Sequence, residues 1–245
     1  MTDKTIRIAM WSGPRNISTA MMRSFEARGD TYVTDEAFYS HYLLKTGIEH
    51  PGRNEIIDGH ESDWKIVVEW LTGSVPGGKP IWYQKHMAHH MLPNIDMEWT
   101  NGFRNCFLIR EPREVLLSYT KKRESVDLKD TGFQQQVELF DYISESTGVI
   151  PAVVDAKDVL EHPESILSQL CDYIDIDFTN EMLQWEPGLR ETDGVWAKHW
   201  YDTVEGTTGF GVYRPKSDSV PSDLEPLLEQ CRHFYSLLHN RRICP

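Results

Sequence analysis

The segment from Ile6 to Arg28, IRIAMWSGPRNISTAMMRSFEAR, constrains the fold of this chain more than any other. It begins as a short apolar strand, Ile6–Met10, and is interrupted at Ser12-Gly13-Pro14. Apolar residues then recur at helical spacing until Gly29, a residue type that commonly ends helices. This order of strand, tight turn and helix is the arrangement in which proteins bind phosphate.

The turn itself has the composition of an anion-binding loop. Small residues let the backbone N–H groups of a turn approach an anion, and the following helix N-terminus points its own N–H groups at the same place. Arg15 lies inside the turn and adds a positive charge. The residues expected to contact the anion are Gly13, Pro14, Arg15, Asn16, Ile17, Ser18 and Thr19.

Short apolar strands alternate with helices along the rest of the chain. The strand candidates are Thr31–Asp35, Ile81–Gln84, Phe103–Ile109 and Pro151–Asp155. The helix candidates are Glu36–Lys45 (as helix or turn), 63–73, 112–119, Phe133–Ser146, His162–Ile174 and Pro221–Arg242. This alternation predicts an α/β fold with three layers, in which helices cover both faces of a P-loop-type parallel sheet. We expect one domain over residues 1–245.

Three segments between these elements have their own predictions. Thr46–Gly59 is polar and rich in turn residues, so we expect a loop. Ser62 is expected to cap the helix at 63–73, whose buried face would carry Ile66, Val67, Trp70 and Leu71. Residues 180–214 are rich in Trp, Gly and Pro without periodicity, and we expect an irregular lid or acceptor-site segment there.

Charged and polar residues follow the predicted strands directly. They are Arg15, Glu36, Lys85, His86 and Arg110. In parallel α/β sheets, ligands bind beyond the carboxyl ends of the strands. We therefore expect these side chains to meet in one site.

The loop departs from the phosphate loop of nucleotide triphosphatases, G-x-x-x-x-G-K-[ST]. Counted from Gly13, the last three positions are Ser18, Thr19 and Ala20, so the lysine and the magnesium-binding hydroxyl are both missing. This weakens a kinase or triphosphatase hypothesis. It favours a transferred group that carries less charge than a terminal phosphate, such as a sulfuryl group.

Three segments resemble the sulfotransferases that use 3′-phosphoadenosine 5′-phosphosulfate (PAPS). SGPRNIST, with the helix after it, resembles the family's 5′-phosphosulfate loop. FLIREPREVLLSY resembles the second motif, in which an Arg at a strand end and a Ser two helical turns later hold the 3′-phosphate. VVDAKDVLEHPESILSQLCDYIDIDF is similar to a strand, acidic loop and helix of the family, and together the segments cover about residues 6–178.

The resemblance implies a sulfotransferase-like fold and transfer of a sulfuryl group from PAPS to a hydroxyl or amine of a small-molecule acceptor. It implies no metal. It assigns the 3′-phosphate to Arg110 and Ser118, and charge neutralisation on the leaving phosphate to Arg15. Well-known members carry Lys at the position of Arg15 and Gly at that of Ile17. The family's C-terminal Arg-Lys-Gly loop has one candidate substitute here, residues 207–214, which contributes Arg214.

The base that deprotonates the acceptor has two candidates. Family members use a Lys–x–His pair at a strand end, and Lys85-His86 is nearly that pair. Glu36 is the rival, because some bacterial relatives use a carboxylate there. His86 and Glu36 could instead have only a structural role. The same holds for Arg110, which could pair with Glu114 at a helix start. No Glu follows His86 in an H-E-x-x-H pattern, which argues against a metal held by His86 and His90.

Composition limits the partners of the chain. Its net charge of −13 argues against a general nucleic-acid or membrane-surface binder. An anionic ligand must therefore be held by a local basic cluster, to which the run Lys121-Lys122-Arg123 could contribute unless it is a solvated helix end. The four cysteines lack the spacing of a zinc or disulfide framework. No signal peptide or membrane-spanning run is evident, so we expect a cytoplasmic protein, and a homo-oligomer is compatible with the sequence.

Two other functions stay open. One is a P-loop kinase or another nucleotide-dependent phosphotransferase. The other is a non-catalytic descendant of the fold that binds a nucleotide or a protein partner, for example through the Trp-rich segment.

Overall fold

A computed structural model describes residues 5–119 and 126–245, so the run Lys121-Lys122-Arg123 lies outside the described residues. Within this part of the chain, five parallel strands form one sheet in the order β2-β3-β1-β4-β5. The strands are β1 (Ile6–Ser12), β2 (Thr31–Asp35), β3 (Ile81–Met87), β4 (Arg104–Ile109) and β5 (Ala152–Asp155). The predicted α/β architecture with a parallel sheet is confirmed.

Helices connect the strands and cover both faces of the sheet. The α-helices are α1 (Ser18–Ala27), α2 (Tyr39–Thr46), α3 (Arg53–Gly59), α4 (Trp64–Thr72), α5 (Pro112–Tyr119), α6 (Leu128–Thr131), α7 (Phe133–Thr147), α8 (Ala156–Glu161), α9 (Pro163–Tyr173), α10 (Ala197–Trp200), α11 (Asp202–Glu205) and α12 (Glu225–His239). Short 3₁₀ turns lie at Pro76–Gly78, Ala88–His90, Glu98–Gly102, Asn180–Leu183 and Ser222–Leu224. Over the described residues, no helix is both long and apolar enough to cross a membrane.

The alternation of side chains along the strands divides the core into two layers. On one face, Met10 and Leu108 pack with Phe25 of α1 and Leu167 of α9. On the other face, Trp11 packs with residues of β4, β5, α7 and α12. The central strands are buried on both faces, and their sequences are therefore nearly continuous apolar runs.

Two local predictions were wrong. The expected loop at Thr46–Gly59 contains α3, because Gly52 adopts a left-handed conformation (φ 77°) that ends the preceding loop and starts the helix. Ser62 is not the cap of α4. Asp63 is, since its Oδ1 accepts a hydrogen bond from the Lys65 backbone N–H at 2.9 Å. A carboxylate also interacts favourably with a helix N-terminus.

The predicted apolar face of α4 is only half buried. Val67 and Leu71 lie in the core, whereas Ile66 and Trp70 are largely exposed. The indole of Trp70 packs edge-on against Trp82 of β3 at 5.3 Å between ring centroids. The helix therefore contacts the sheet along a narrower stripe than its sequence predicts.

Strand β3 is three residues longer than predicted. All seven of its residues, Ile81–Met87, are buried, and it pairs with both β1 and β2. Lys85 and His86 therefore lie inside the strand and not after it. Because successive strand residues point to opposite faces, the two side chains are separated by the sheet. This placement decides which of them can take part in a site.

Candidate active site

The loop between β1 and α1 is fitted closely to the backbone beside it. A Cβ on Gly13 would lie 2.7 Å from the carbonyl oxygen of Thr131, a distance that side-chain carbons do not adopt. Arg15 has a left-handed backbone (φ 60°), which costs energy for a residue with a side chain. Glycine at position 13 is therefore required by contact, and the strained backbone at Arg15 is maintained by the structure around it.

The N-terminus of α1 is open toward the loop. Ile17 occupies the N-cap position and its side chain forms no capping hydrogen bond. The first N–H groups of a helix lack partners inside the helix and carry a partial positive charge. The arrangement is thus able to bind an anion through the backbone of residues 16–19.

Side-chain amides hold the loop against the sheet. The Asn16 side chain donates to the carbonyl oxygen of Leu108 at 3.0 Å. The buried amide of Gln136 donates to the same oxygen at 3.0 Å and to that of Trp11 at 3.3 Å. The carboxyl ends of β1 and β4 are therefore joined to the loop. Gln136 was missed in the sequence because nothing in the pattern of α7 distinguishes it from a surface glutamine.

The second motif reaches the same loop. Arg15 Nε donates to Ser118 Oγ at 2.8 Å, and Arg110 Nη1 donates to the backbone oxygen of Arg15 at 2.9 Å. Arg110 also contacts one Glu114 oxygen with Nε at 2.9 Å and Nη2 at 2.8 Å. The structure thus brings Arg15, Arg110 and Ser118 together. Arg110 makes the ordinary helix-start ion pair with Glu114 and supports the loop as well.

A C-terminal segment closes over this end of the site. Tyr213 Oη donates to Glu114 Oε1 at 2.6 Å, and Lys216 Nζ donates to the backbone oxygen of Glu114 at 2.8 Å. Burial acts to raise the pKa of Glu114, but hydrogen bonds from Tyr213 and Arg110 hold it below the usual value. The carboxylate therefore stays ionised and fixes the segment.

The nucleotide-binding role expected of Arg214 stays a prediction, and the structure places this residue away from the cavity. Arg214 is exposed and does not line the cavity at this site, whereas Lys216, two residues later, does. Lys216 is drawn in by its hydrogen bond to the backbone oxygen of Glu114. The cation that this segment contributes to the cavity is therefore Lys216.

A cluster of buried charges lies at the carboxyl ends of β2 and β3. Lys85 Nζ donates to Glu36 Oε1 at 2.5 Å, to Asp35 Oδ1 at 2.7 Å and to Tyr201 Oη at 2.8 Å. Glu36 has a left-handed backbone (φ 42°) that turns its side chain back toward Lys85. The sequence indicated Glu36 and Lys85 as site residues. It contained no motif that pointed to Asp35 or Tyr201.

Burial and charge act in opposite directions on these groups. Burial raises the pKa of Glu36, Lys85 lowers it and Asp35 raises it further, with a net upward shift. Burial acts to lower the pKa of Lys85, but the two carboxylates outweigh it and raise the pKa well above its usual value. Lys85 is therefore a permanent cation, and Glu36 is a carboxylate able to accept a proton.

His86 does not join this cluster. It is 2% exposed, stacks on the indole of Trp11 at 4.6 Å between ring centroids, and contacts Gln84 Oε1 through Nε2 at 3.2 Å. Burial and, to a smaller extent, the nearby Lys85 charge lower the pKa of His86 to about 3. His86 lies on the opposite face of the sheet from Lys85 and does not line the cavity. The role of His86 as the base stays a prediction, but the structure places its side chain away from the cavity.

These parts surround one cavity of about 540 Å³. Its cationic end carries Arg15, Arg110 and Lys216. Its aromatic end carries Tyr39, His50, His90, Trp200 and Tyr201, beside Glu36 and Lys85. Ten residues of the predicted site line it: Pro14, Arg15, Asn16, Ile17, Ser18, Thr19, Glu36, Lys85, Arg110 and Ser118. In the described part of the chain, no group of three or more His, Cys, Asp or Glu side chains is arranged to hold a metal ion.

A family model described as a sulfotransferase domain matches residues 6–242, and the chain belongs to this family. The sulfotransferase domain from the curacin biosynthetic pathway superposes with a TM-score of 0.54 at 17% identity, covering 98% of this chain and 99% of that one. The sulfotransferase domain from the Synechococcus PCC 7002 olefin synthase has a TM-score of 0.49 at 16% identity, with 93% and 94% covered. The first superposition supports the fold.

Two Arabidopsis thaliana proteins are 34% identical to this chain over 232 and 234 residues. They are named branched-chain-amino-acid aminotransferase-like protein 2 and protein 1. The matches cover 94% and 95% of this chain and 41% of each plant protein. The chain therefore spans about two-fifths of these relatives, and their names do not say which activity belongs to the matched part.

The neutral, buried state of His86 predicts a pH dependence of stability. A histidine whose folded pKa is depressed stabilises the fold fully above its unfolded pKa, and this contribution is lost as the pH falls. With a folded pKa of about 3, the loss spans the range from about pH 6.5 downward. Between about pH 7 and pH 5, His86 would account for a loss of roughly 2 kcal/mol.

Urea unfolding of His86→Gln at these two pH values tests this. We expect the variant to lose less stability on acidification than the wild type. His233→Gln, at an exposed position on α12, is the matched control and should keep the wild-type pH dependence. An unchanged acid-side loss in His86→Gln would contradict the buried neutral state.

Proposed function

We propose that this protein transfers a sulfuryl group from PAPS to a hydroxyl or amine of a small-molecule acceptor. The observation that carries the proposal is the division of one cavity into a cationic end at the β1–α1 loop and a carboxylate-bearing aromatic end at Glu36. Phosphates suit the first end. A neutral acceptor that must lose a proton suits the second.

The residues present fit the phosphates of the nucleotide. Arg15 and the backbone N–H groups of residues 16–19 would hold the 5′-phosphosulfate, and Arg110, Ser118 and Lys216 the 3′-phosphate. Arg15 and Ser118 are already hydrogen-bonded to each other, so the two phosphate subsites would be adjacent. The net charge of −13 makes this local group of cations the main attraction for an anion.

When bound, PAPS would supply the sulfuryl group: the bond from sulfur to the 5′-phosphate oxygen breaks, a bond to the acceptor oxygen or nitrogen forms, and adenosine 3′,5′-bisphosphate leaves. Glu36 would accept the proton that the acceptor loses. Lys85 cannot do so because it stays protonated, and it would instead stabilise the ionised Glu36 before the transfer. Arg15 would neutralise negative charge developing on the leaving phosphate.

The nucleotide half of the proposal predicts a loss of affinity in two variants. Arg15→Ala and Arg110→Ala should each weaken binding of adenosine 3′,5′-bisphosphate by about 10-fold or more, because hydrogen bonds to charged groups contribute roughly 1.5–3 kcal/mol. Isothermal titration calorimetry measures this. Arg232→Ala removes an exposed arginine of α12 and is the matched control.

Unchanged affinity in both variants would overturn the assignment of the phosphate subsites. A magnesium-dependent thermal shift with ATP, and none with adenosine 3′,5′-bisphosphate, would favour the kinase hypothesis instead.

The acceptor half predicts a separate effect at Glu36. Glu36→Gln cannot accept a proton, so acceptor-dependent release of adenosine 3′,5′-bisphosphate from PAPS should fall about 100-fold or more. Nucleotide affinity measured by calorimetry should stay within a few-fold of the wild type. In the wild type, the rate should rise with pH through the raised pKa of Glu36, because the ionised form is the base. A Glu36→Gln variant of nearly full activity would show that another group is the base.

A further inference from the structure

The two carboxylates beside Lys85 have different surroundings. Among the described residues, four donors reach Asp35: Lys85 Nζ at 2.7 Å, Tyr201 Oη at 2.5 Å, Trp196 Nε1 at 3.1 Å and the backbone N–H of Gly194 at 3.3 Å. The Asp35 side chain is 1% exposed and does not line the cavity. Its hydrogen-bonding capacity is therefore used inside the protein.

Glu36 differs in both respects. It lines the cavity, its side chain is 9% exposed, and Oε1 accepts from Lys85. Asp35 and Glu36 share the single positive charge of Lys85. Since the other donors neutralise part of the charge on Asp35, Glu36 is the carboxylate whose charge is left for the cavity.

Tyr201 sits between the two charged groups. Its hydroxyl donates to Asp35 Oδ2 and accepts from Lys85 Nζ, so one side chain contacts both members of the ion pair. The ammonium also lies 5.2 Å from the centre of the Tyr201 ring, over its face. The hydroxyl thus contacts Asp35 and Lys85 beside their own direct hydrogen bond.

The segment that carries Tyr201 is itself held firmly. Asp193 accepts from the buried Arg23 of α1 at 2.5 Å, and the Trp196 indole donates to Asp35 at 3.1 Å. This is the Trp-rich segment that the sequence predicted to be an irregular lid or acceptor-site segment. In the structure, this segment also supplies hydrogen-bond donors to Asp35.

We propose that Asp35 and Tyr201 are positioning residues, which hold Lys85 from the protein side so that Glu36 is the carboxylate that exchanges a proton with the acceptor. The role of Glu36 in this statement rests on the proposed function. The division of labour between the two carboxylates rests on the contacts of the cluster alone.

Every packed element contributes a group that faces Glu36 or its partners. Lys85 comes from β3, Asp35 from β2 and Tyr201 from the segment after α10. Tyr39 of α2 faces Glu36, and the charge of Lys85 reaches His90, whose pKa burial lowers well below its usual value. His60 faces Asp35, and its pKa is also lowered by burial. Neither Tyr39 nor His90 carries a charge near neutral pH, so Asp35 and Lys85 dominate the ionisation of Glu36.

Two variants should move the ionisation of Glu36 in opposite directions. Asp35→Asn removes a negative charge, so that Glu36 becomes the only carboxylate paired with Lys85 in this cluster. The titration midpoint of Glu36 should therefore fall by about one pH unit or more. Tyr201→Phe takes from Asp35 its shortest donor. Asp35 then attracts Lys85 more strongly, and the midpoint of Glu36 should rise by about half a pH unit.

The midpoint can be read by NMR titration of the side-chain carboxyl carbons in the intact protein, with Glu36→Gln assigning the signal. Tyr235→Phe is the matched control, because Tyr235 Oη donates to another buried carboxylate, Asp155 Oδ2, at 2.8 Å and away from the cavity. It should leave the Glu36 midpoint unchanged. Circular dichroism confirms that each variant folds, and if Asp35→Asn does not fold, the sign of the Tyr201→Phe shift decides.

A lower Glu36 midpoint in Asp35→Asn together with a higher one in Tyr201→Phe supports the proposal. An unchanged midpoint in Tyr201→Phe, or shifts of the same sign in both variants, would overturn it. The titration needs neither PAPS nor an acceptor, so its outcome is independent of the nucleotide binding and turnover that test the proposed function.

Discussion

The buried ammonium of Lys85 is the constraint on which the arrangement of the site depends. A charge inside a protein is stable only when opposite charges and hydrogen bonds replace its water, and removing one partner of a buried pair commonly costs about 3–5 kcal/mol. Lys85 lies in a strand whose residues are all buried, so the end of β2 supplies Asp35 opposite it and the next residue supplies Glu36. The segment around Tyr201 must cover them, which places the aromatic wall of the cavity.

The cationic end of the cavity combines backbone N–H groups with arginine and lysine side chains that are only partly buried. The loop lies on the carboxyl ends of β1 and β4, where Asn16 and Gln136 bind the free carbonyl oxygens. Arg110 then supports the loop from α5 while Glu114 supports Arg110. Strand β1 lies between β3 and β4, so one sheet places the cationic groups of the loop and α5 beside the carboxylate of Glu36.

The sequence was informative where function depends on a local pattern. The strand, loop and helix at 6–28 and the arginine and serine of the second motif were predicted because each is a contiguous motif. Asp35, Gln136, Tyr201 and Lys216 were missed because their roles arise from contacts between distant segments. His86 was misplaced for a different reason. Strand β3 continues for three residues beyond its predicted end, so Lys85 and His86 lie on opposite faces of the sheet. The ends of strands are only weakly indicated by the sequence.

In the proposed complex, one cavity holds the two phosphates of a nucleotide at its cationic end and leaves Glu36 facing the acceptor. A crystal structure of the complex with adenosine 3′,5′-bisphosphate tests it most directly. We predict that the 5′-phosphate lies on the backbone of residues 13–19 beside Arg15, and that the 3′-phosphate contacts Arg110, Ser118 or Lys216. A nucleotide bound elsewhere, or one whose phosphates touch neither the loop nor α5, would contradict it.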